Sequence, residues 1–193
     1  MPWPLLGPRV PRRRNPLKRW LGRRVFEWLG WRLEGEWPDE PKLIVAVAPH
    51  SSNVDIILAV AVFWGLELRT SYLAKDSLFR FPLGMIMRGL GGIPVDRSSP
   101  QGMVDDLVER FRSSASLVIG ITPEGTRSGA RQWKSGFARI AASARVPVLP
   151  AIVNYAERVV YLRPPIAGDR ADDILAATRS AAGIGSPRHR RAA

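Results

Sequence analysis
His50 is one of two histidines in the chain. It follows the apolar run Leu43-Ile44-Val45-Ala46-Val47 and has a carboxylate, Asp55, five residues on. A carboxylate bonded to one imidazole nitrogen fixes the tautomer and makes the other nitrogen a better base. On an ideal helix five residues turn through about 140°, so the two side chains would not share a face. They can meet if His50 precedes the helix and turns back over its first turn, where Ser51, Ser52 and Asn53 supply capping residues. Taken alone, the pair also fits a buried histidine beside an unrelated helix-start aspartate. No Gly-x-Ser-x-Gly elbow offers a nucleophile, and no His-Glu-x-x-His metal site is present. The simplest chemistry for His50 is that of a general base toward an incoming hydroxyl.

Two further segments carry chemistry. In Gly89-Leu90-Gly91-Gly92-Ile93-Pro94-Val95-Asp96-Arg97 the glycines allow close backbone approach, but a dinucleotide-binding fingerprint fails at Pro94. Arg97 could clamp a phosphate with its planar fork, or belong to an ordinary surface Asp96–Arg97 loop. Thr122-Pro123-Glu124-Gly125-Thr126-Arg127-Ser128 follows a second apolar run. Its turn amides, hydroxyls and guanidinium suit an anionic headgroup, and Glu124 could accept from a substrate hydroxyl or hold an arginine. The plain alternative is a Pro-Glu-Gly turn.

The elements that would position these residues alternate. Strands are expected at Leu43–Val47, Leu68–Ala74, Ile93–Val95, Ser116–Ile121, Val146–Val153 and Val159–Leu162. Helices are expected at Asn53–Gly65, Met103–Ser113, Phe137–Ala144 and 171–182, with Val104, Leu107, Val108 and Phe111 facing inward, and a short helix or turn at Leu83–Leu90. Such alternation predicts a single α/β domain with a mainly parallel, twisted sheet covered by helices. Ligands of such sheets bind at strand ends, where all three polar segments fall.

Ahead of this domain, residues 1–15 are rich in proline and arginine. Residues 17–31 read as a basic amphipathic helix, with Leu17, Trp20, Leu21, Val25, Trp28 and Leu29 on one stripe and Lys18, Arg19, Arg23 and Arg24 mainly off it. Trp20, Arg23, Arg24, Trp28 and Trp31 are the residues expected at a membrane interface, where indoles sit at headgroup depth and cations meet anionic lipid. A helix packed on its own domain is the alternative. The organisation expected is an interfacial segment at 1–35, a catalytic domain at 36–182 and a basic flexible tail at 183–193.

Composition narrows the partners. Hydrophobic residues make up 46% of the chain, enough for a folded core, and the net charge of +12 calls for a polyanionic partner. A nucleic acid would satisfy the charge but not the isolated His50–Asp55 pair, and neither a nucleic-acid motif nor interleaved aromatics is present, so none is expected. The chain has no cysteine, which excludes disulfides, thiolate metal sites and a thiol nucleophile. The longest apolar stretch, Ile56 to Leu66, is short of the about 20 residues a spanning helix needs. The arginine-rich opening lacks the apolar stretch and cleavage site of a secretory signal.

In order, His50-x4-Asp55, Gly91-x-Ile93-Pro94-Val95-Asp96-Arg97, Pro123-Glu124-Gly125-Thr126-Arg127-Ser128 and Val146-Pro147-Val148-Leu149-Pro150 resemble the four blocks of the glycerophospholipid acyltransferase family, whose type members are the 1-acyl-sn-glycerol-3-phosphate acyltransferases. The resemblance runs from about Leu43 to Val153. It implies His50 as catalytic base and Asp55 as its orienting partner. It implies acceptor binding at Arg97, Glu124, Gly125, Thr126, Arg127 and Ser128, with Lys75 near the cleft and Pro147 and Pro150 shaping the acyl pocket. The implied substrates are a lysophospholipid acceptor and an acyl-CoA or acyl-carrier protein donor, with no metal or other cofactor. The implied place is the cytoplasmic face of the membrane, as a peripheral protein on an anionic surface. Thr122 departs from the family, in which a phenylalanine usually opens the third block. An ornithine-type lyso-lipid, another lysophospholipid or a glycolipid precursor remains an alternative acceptor.

Overall fold
The computed structural model describes residues 3–50, 52, 54–89, 91–95, 99–124 and 133–186. Its strands are β1 (Arg32–Glu34), β2 (Lys42–Ala48), β3 (Thr70–Lys75), β4 (Gly92–Val95), β5 (Leu117–Ile121), β6 (Val148–Asn154) and β7 (Val159–Leu162). They form one sheet in the order β1-β7-β6-β2-β5-β3-β4. The five strands from β6 to β4 are parallel, β7 is antiparallel to β6, and β1 is parallel to β7. This is the mainly parallel, helix-covered α/β sheet that the alternating pattern predicts.

The helices are α1 (Pro16–Trp28), α2 (Val54–Gly65), α3 (Leu83–Gly89), α4 (Pro100–Ser113), α5 (Gly136–Ala144) and α6 (Ala171–Ala181). β2 shows why both sheet faces are covered. Leu43 and Val45 point into a core shared with Phe26 of α1 and Leu58 and Val62 of α2. Ile44 and Ala46 point into the opposite core, with Leu107 and Phe111 of α4, Ile140 of α5 and Ile174 of α6. A strand buried on both faces must be apolar throughout, as this one is. Val104, Leu107, Val108 and Phe111 are all buried, as the periodicity of α4 predicts.

Several boundaries differ from expectation for local reasons. α4 starts at Pro100 rather than Met103, because proline suits the first helical turn, where its missing N–H costs nothing. β6 starts at Val148 rather than Val146. Arg145 turns left-handed (φ 53°), the Val146 N–H closes α5 onto Ala141, and the Pro147 carbonyl accepts from Ile44 N–H. β1, with three residues, is too short to leave a periodic signal and forms because β7 offers it an edge.

The N-terminal segment is built into the molecule. Val10, Phe26, Trp31 and Leu33 belong to the same core as β2, β6 and α2. Gly22 lets α1 approach α2 closely: a Cβ there would lie 2.6 Å from the Ala61 carbonyl oxygen and 2.7 Å from the Gly65 nitrogen. Among the described residues no helix is long and apolar enough to cross a membrane.

Candidate active site
The site is made by the carboxyl edge of the sheet. In the register, Ala46 of β2 sits beside Ile121 of β5, and Ala48 beside Ile152 of β6. The chain therefore leaves β2 toward His50, β5 toward Glu124 and β6 toward Tyr155 at the same level. β3 and β4 end beside them, with Lys75 opposite Val95. This is the crevice outside the strand ends where parallel sheets bind ligands.

His50 and Asp55 meet at the start of α2. Asp55 Oδ2 lies 3.1 Å from His50 Nδ1 and accepts the Ser52 backbone N–H at 2.7 Å. Ser52 Oγ in turn accepts from Val54 N–H at 3.2 Å. This is a capping-box exchange, in which a residue of the first turn reaches back to the cap. It explains how a five-residue spacing that fails on a helix succeeds here: the carboxylate that caps α2 is turned toward the residue preceding the helix.

Both groups are shielded, with His50 9% exposed and Asp55 2% exposed. A carboxylate only accepts, so at this contact Nδ1 carries the proton, which leaves Nε2 as the ring nitrogen not bonded to Asp55. The other carboxylate oxygen, Asp55 Oδ1, accepts the Tyr155 hydroxyl. Glu124 is also buried at this edge. A narrow cavity of about 20 Å³ lies beside Asp55 under α2, lined by Val45, Val47, Leu58, Phe63 and Trp37. The buried Trp37 Nε1 finds no hydrogen-bond partner among the described residues. On β3, burial raises the pKa of the Tyr72 hydroxyl above the ordinary phenol value, and the group stays protonated.

A family model described as Acyltransferase matches residues 35–154, more than half of the 193 residues. The chain belongs to the acyltransferase family. The family and the enzyme class implied by the four sequence blocks are thus those of the match. The acyltransferase is also similar in fold to the crystal structure of the 1-acyl-sn-glycerophosphate (LPA) acyltransferase PlsC from Thermotoga maritima. The TM-score is 0.62 at 20% identity, over 86% of this chain and 75% of that one. Comparison with curated proteins finds no match.

The residues singled out from sequence fall into three groups. His50, Asp55 and Glu124 are described at the sheet edge, and Lys75 ends β3 there. Arg97, Gly125, Thr126, Arg127 and Ser128 lie outside the described residues. The interfacial set divides. Trp20 and Trp28 are exposed, as is Arg24, which pairs with Glu27 at 3.7 Å. Trp31 is a correction: it is 7% exposed and packs edge-on against Tyr155, with ring centroids 4.9 Å apart. Arg23 is half-buried. Its Nε donates to the Gly65 carbonyl at 3.0 Å, and its guanidinium lies over Trp3, because α1 turns Gly22, Arg23 and Phe26 toward its own domain.

Sequence reasoning missed Tyr155. It lies 100 residues from Asp55 and belongs to none of the four blocks. Its signal is positional: an aromatic with a polar tip just past the end of β6, which becomes informative once β6 is known to border β2.

Proposed function
We propose that this acyltransferase moves a fatty acyl group from acyl-CoA or acyl-carrier protein to a hydroxyl of a lysophospholipid. The first acceptor to consider is 1-acyl-sn-glycerol-3-phosphate, giving phosphatidic acid. The observation that carries the reading is the 3.1 Å His50–Asp55 contact at the carboxyl end of β2. His50 Nε2 removes the acceptor's hydroxyl proton as its oxygen attacks the thioester carbonyl. The imidazolium formed is stabilised by Asp55. The attack forms the new C–O bond of a tetrahedral intermediate, whose collapse restores the carbonyl and breaks the C–S bond. The proton held on His50 then passes to the departing thiolate.

Arg97 and Arg127 take the acceptor phosphate in this reading. Glu124, Gly125, Thr126 and Ser128 shape the acceptor loop, and Lys75 borders the cleft. The net charge of +12 suits a product, neighbours and donors that are all anionic. The protein works from the cytoplasmic face of the membrane, held peripherally by the outward face of α1.

The test is acyl transfer by purified protein from labelled acyl-CoA to lysophosphatidic acid in vesicles, with His50→Ala alongside. Phosphatidic acid should form with the wild type only, and both proteins should melt as folded domains. A folded, active His50→Ala protein overturns the base. A wild type silent on this acceptor but active on another lysophospholipid, an ornithine-type lyso-lipid or a glycolipid precursor, or only with acyl-carrier protein, keeps the chemistry and replaces the substrate.

A further inference from the structure
We infer that Tyr155 is a positioning residue for the His50–Asp55 pair, an inference that rests on the role proposed above for that pair. An aspartate's χ2 is a soft, roughly two-fold torsion, so a single contact does not fix the plane of its carboxylate. Asp55 is held at both ends. Oδ2 takes the Ser52 N–H at 2.7 Å and faces His50 Nδ1 at 3.1 Å, while Oδ1 takes the Tyr155 hydroxyl. The two anchors define the carboxylate plane and aim an in-plane lone pair of Oδ2 at the imidazole.

Tyr155 can do this because it is itself fixed. Its ring meets Trp31 edge-on at 90°, with centroids 4.9 Å apart, and its backbone N–H donates to the Ser186 carbonyl at 3.2 Å. Trp31 is part of the core that runs under α1 and α2. The catalytic pair is thus braced from the neighbouring strand β6 and from the segment that follows α1.

Tyr155→Phe tests this directly. It removes the hydroxyl and keeps the ring against Trp31, so the fold should survive, which a thermal melt verifies. The chain has two histidines, so protein labelled with ¹⁵N-histidine gives two imidazole spin systems, and His50→Gln identifies which is His50. In Tyr155→Phe the Nδ1 and Nε2 resonances of His50 should move while those of His189 stay. In the transfer assay kcat should fall about tenfold or more, with the acceptor KM changed less than about twofold, because orientation rather than binding is lost. A folded Tyr155→Phe protein with unshifted His50 resonances, or with wild-type kcat, overturns the inference. The resonance readout does not depend on turnover: a wild type with no transferase activity would sink the proposed reaction and leave the brace standing or falling on the spectra alone.

Discussion

Replacing Asp55 by asparagine keeps the shape of the side chain and removes its charge. The amide oxygen can still accept from Ser52 N–H and face His50 Nδ1. The Tyr155 hydroxyl, a donor to the carboxylate, can rotate to accept from the new NH₂ group. What is lost is the negative charge opposite the imidazolium. We therefore expect Asp55→Asn to stay folded and to lose about 100-fold or more in kcat. A steady-state comparison with the wild type checks it, and a kcat within about fivefold would mean that Asp55 orients His50 without stabilising its charge. The pair was legible in the sequence because its contact is local: five residues, a strand before it and capping residues between. Tyr155 was illegible for the opposite reason. Its contact with Asp55 follows from the adjacency of β6 and β2, a fact of strand order that no local pattern encodes.

Among the elements, α1 shows where periodicity informs and where it misleads. Hydropathy places Leu17, Trp20, Leu21, Val25, Trp28 and Leu29 on one stripe, and a stripe of that kind normally faces the core. The structure divides it: Leu17, Trp20, Leu21 and Trp28 point outward, while Val25 and Leu29 turn partly inward. The face that packs on α2 is centred on Gly22 and Phe26, the buried residues of α1. Glycine carries no hydropathy signal, so the true contact face was the weaker one in the sequence. Gly22→Ala tests the reading by its sign. In an exposed helix the change would stabilise by about 1 kcal/mol through propensity. Here the new Cβ would meet the Ala61 carbonyl at 2.6 Å and the Gly65 nitrogen at 2.7 Å, and backbone atoms cannot swing aside. We expect a net loss of about 1–3 kcal/mol. For a chain of this size each kcal/mol lowers Tm by about 2–4 °C. A Tm equal to or above that of the wild type would show that α1 and α2 do not approach this closely.

For the whole molecule, the question is how a sheet-edge site would reach the lipid acceptor proposed above. Register answers part of it. Asn154 at the end of β6 pairs with Val159 at the start of β7, and Val159 sits beside Arg32 at the start of β1. The chain leaving α1 therefore arrives at the same edge of the sheet as His50, and Trp31 packs there on Tyr155. The exposed face of α1, with Trp20 at 56% and Trp28 at 84%, ends three residues before Trp31. An outward apolar face flanked by arginine and adjoining the site mouth is what an enzyme with an insoluble acceptor needs. Deleting the segment would be a poor test, because Phe26 and Trp31 would leave the core with it. The discriminating variant carries Trp20→Ser and Trp28→Ser, which leaves the packed face intact. Its affinity for vesicles containing anionic lipid, measured by sedimentation, should fall by more than about tenfold with Tm unchanged, since each indole that leaves the interface forfeits one to a few kcal/mol. Wild-type binding should weaken as salt rises, because cation–lipid attraction is screened within about 10 Å at 0.1 M. Binding that ignores both changes would leave α1 with a purely internal role, as the support of Trp31 beneath Tyr155.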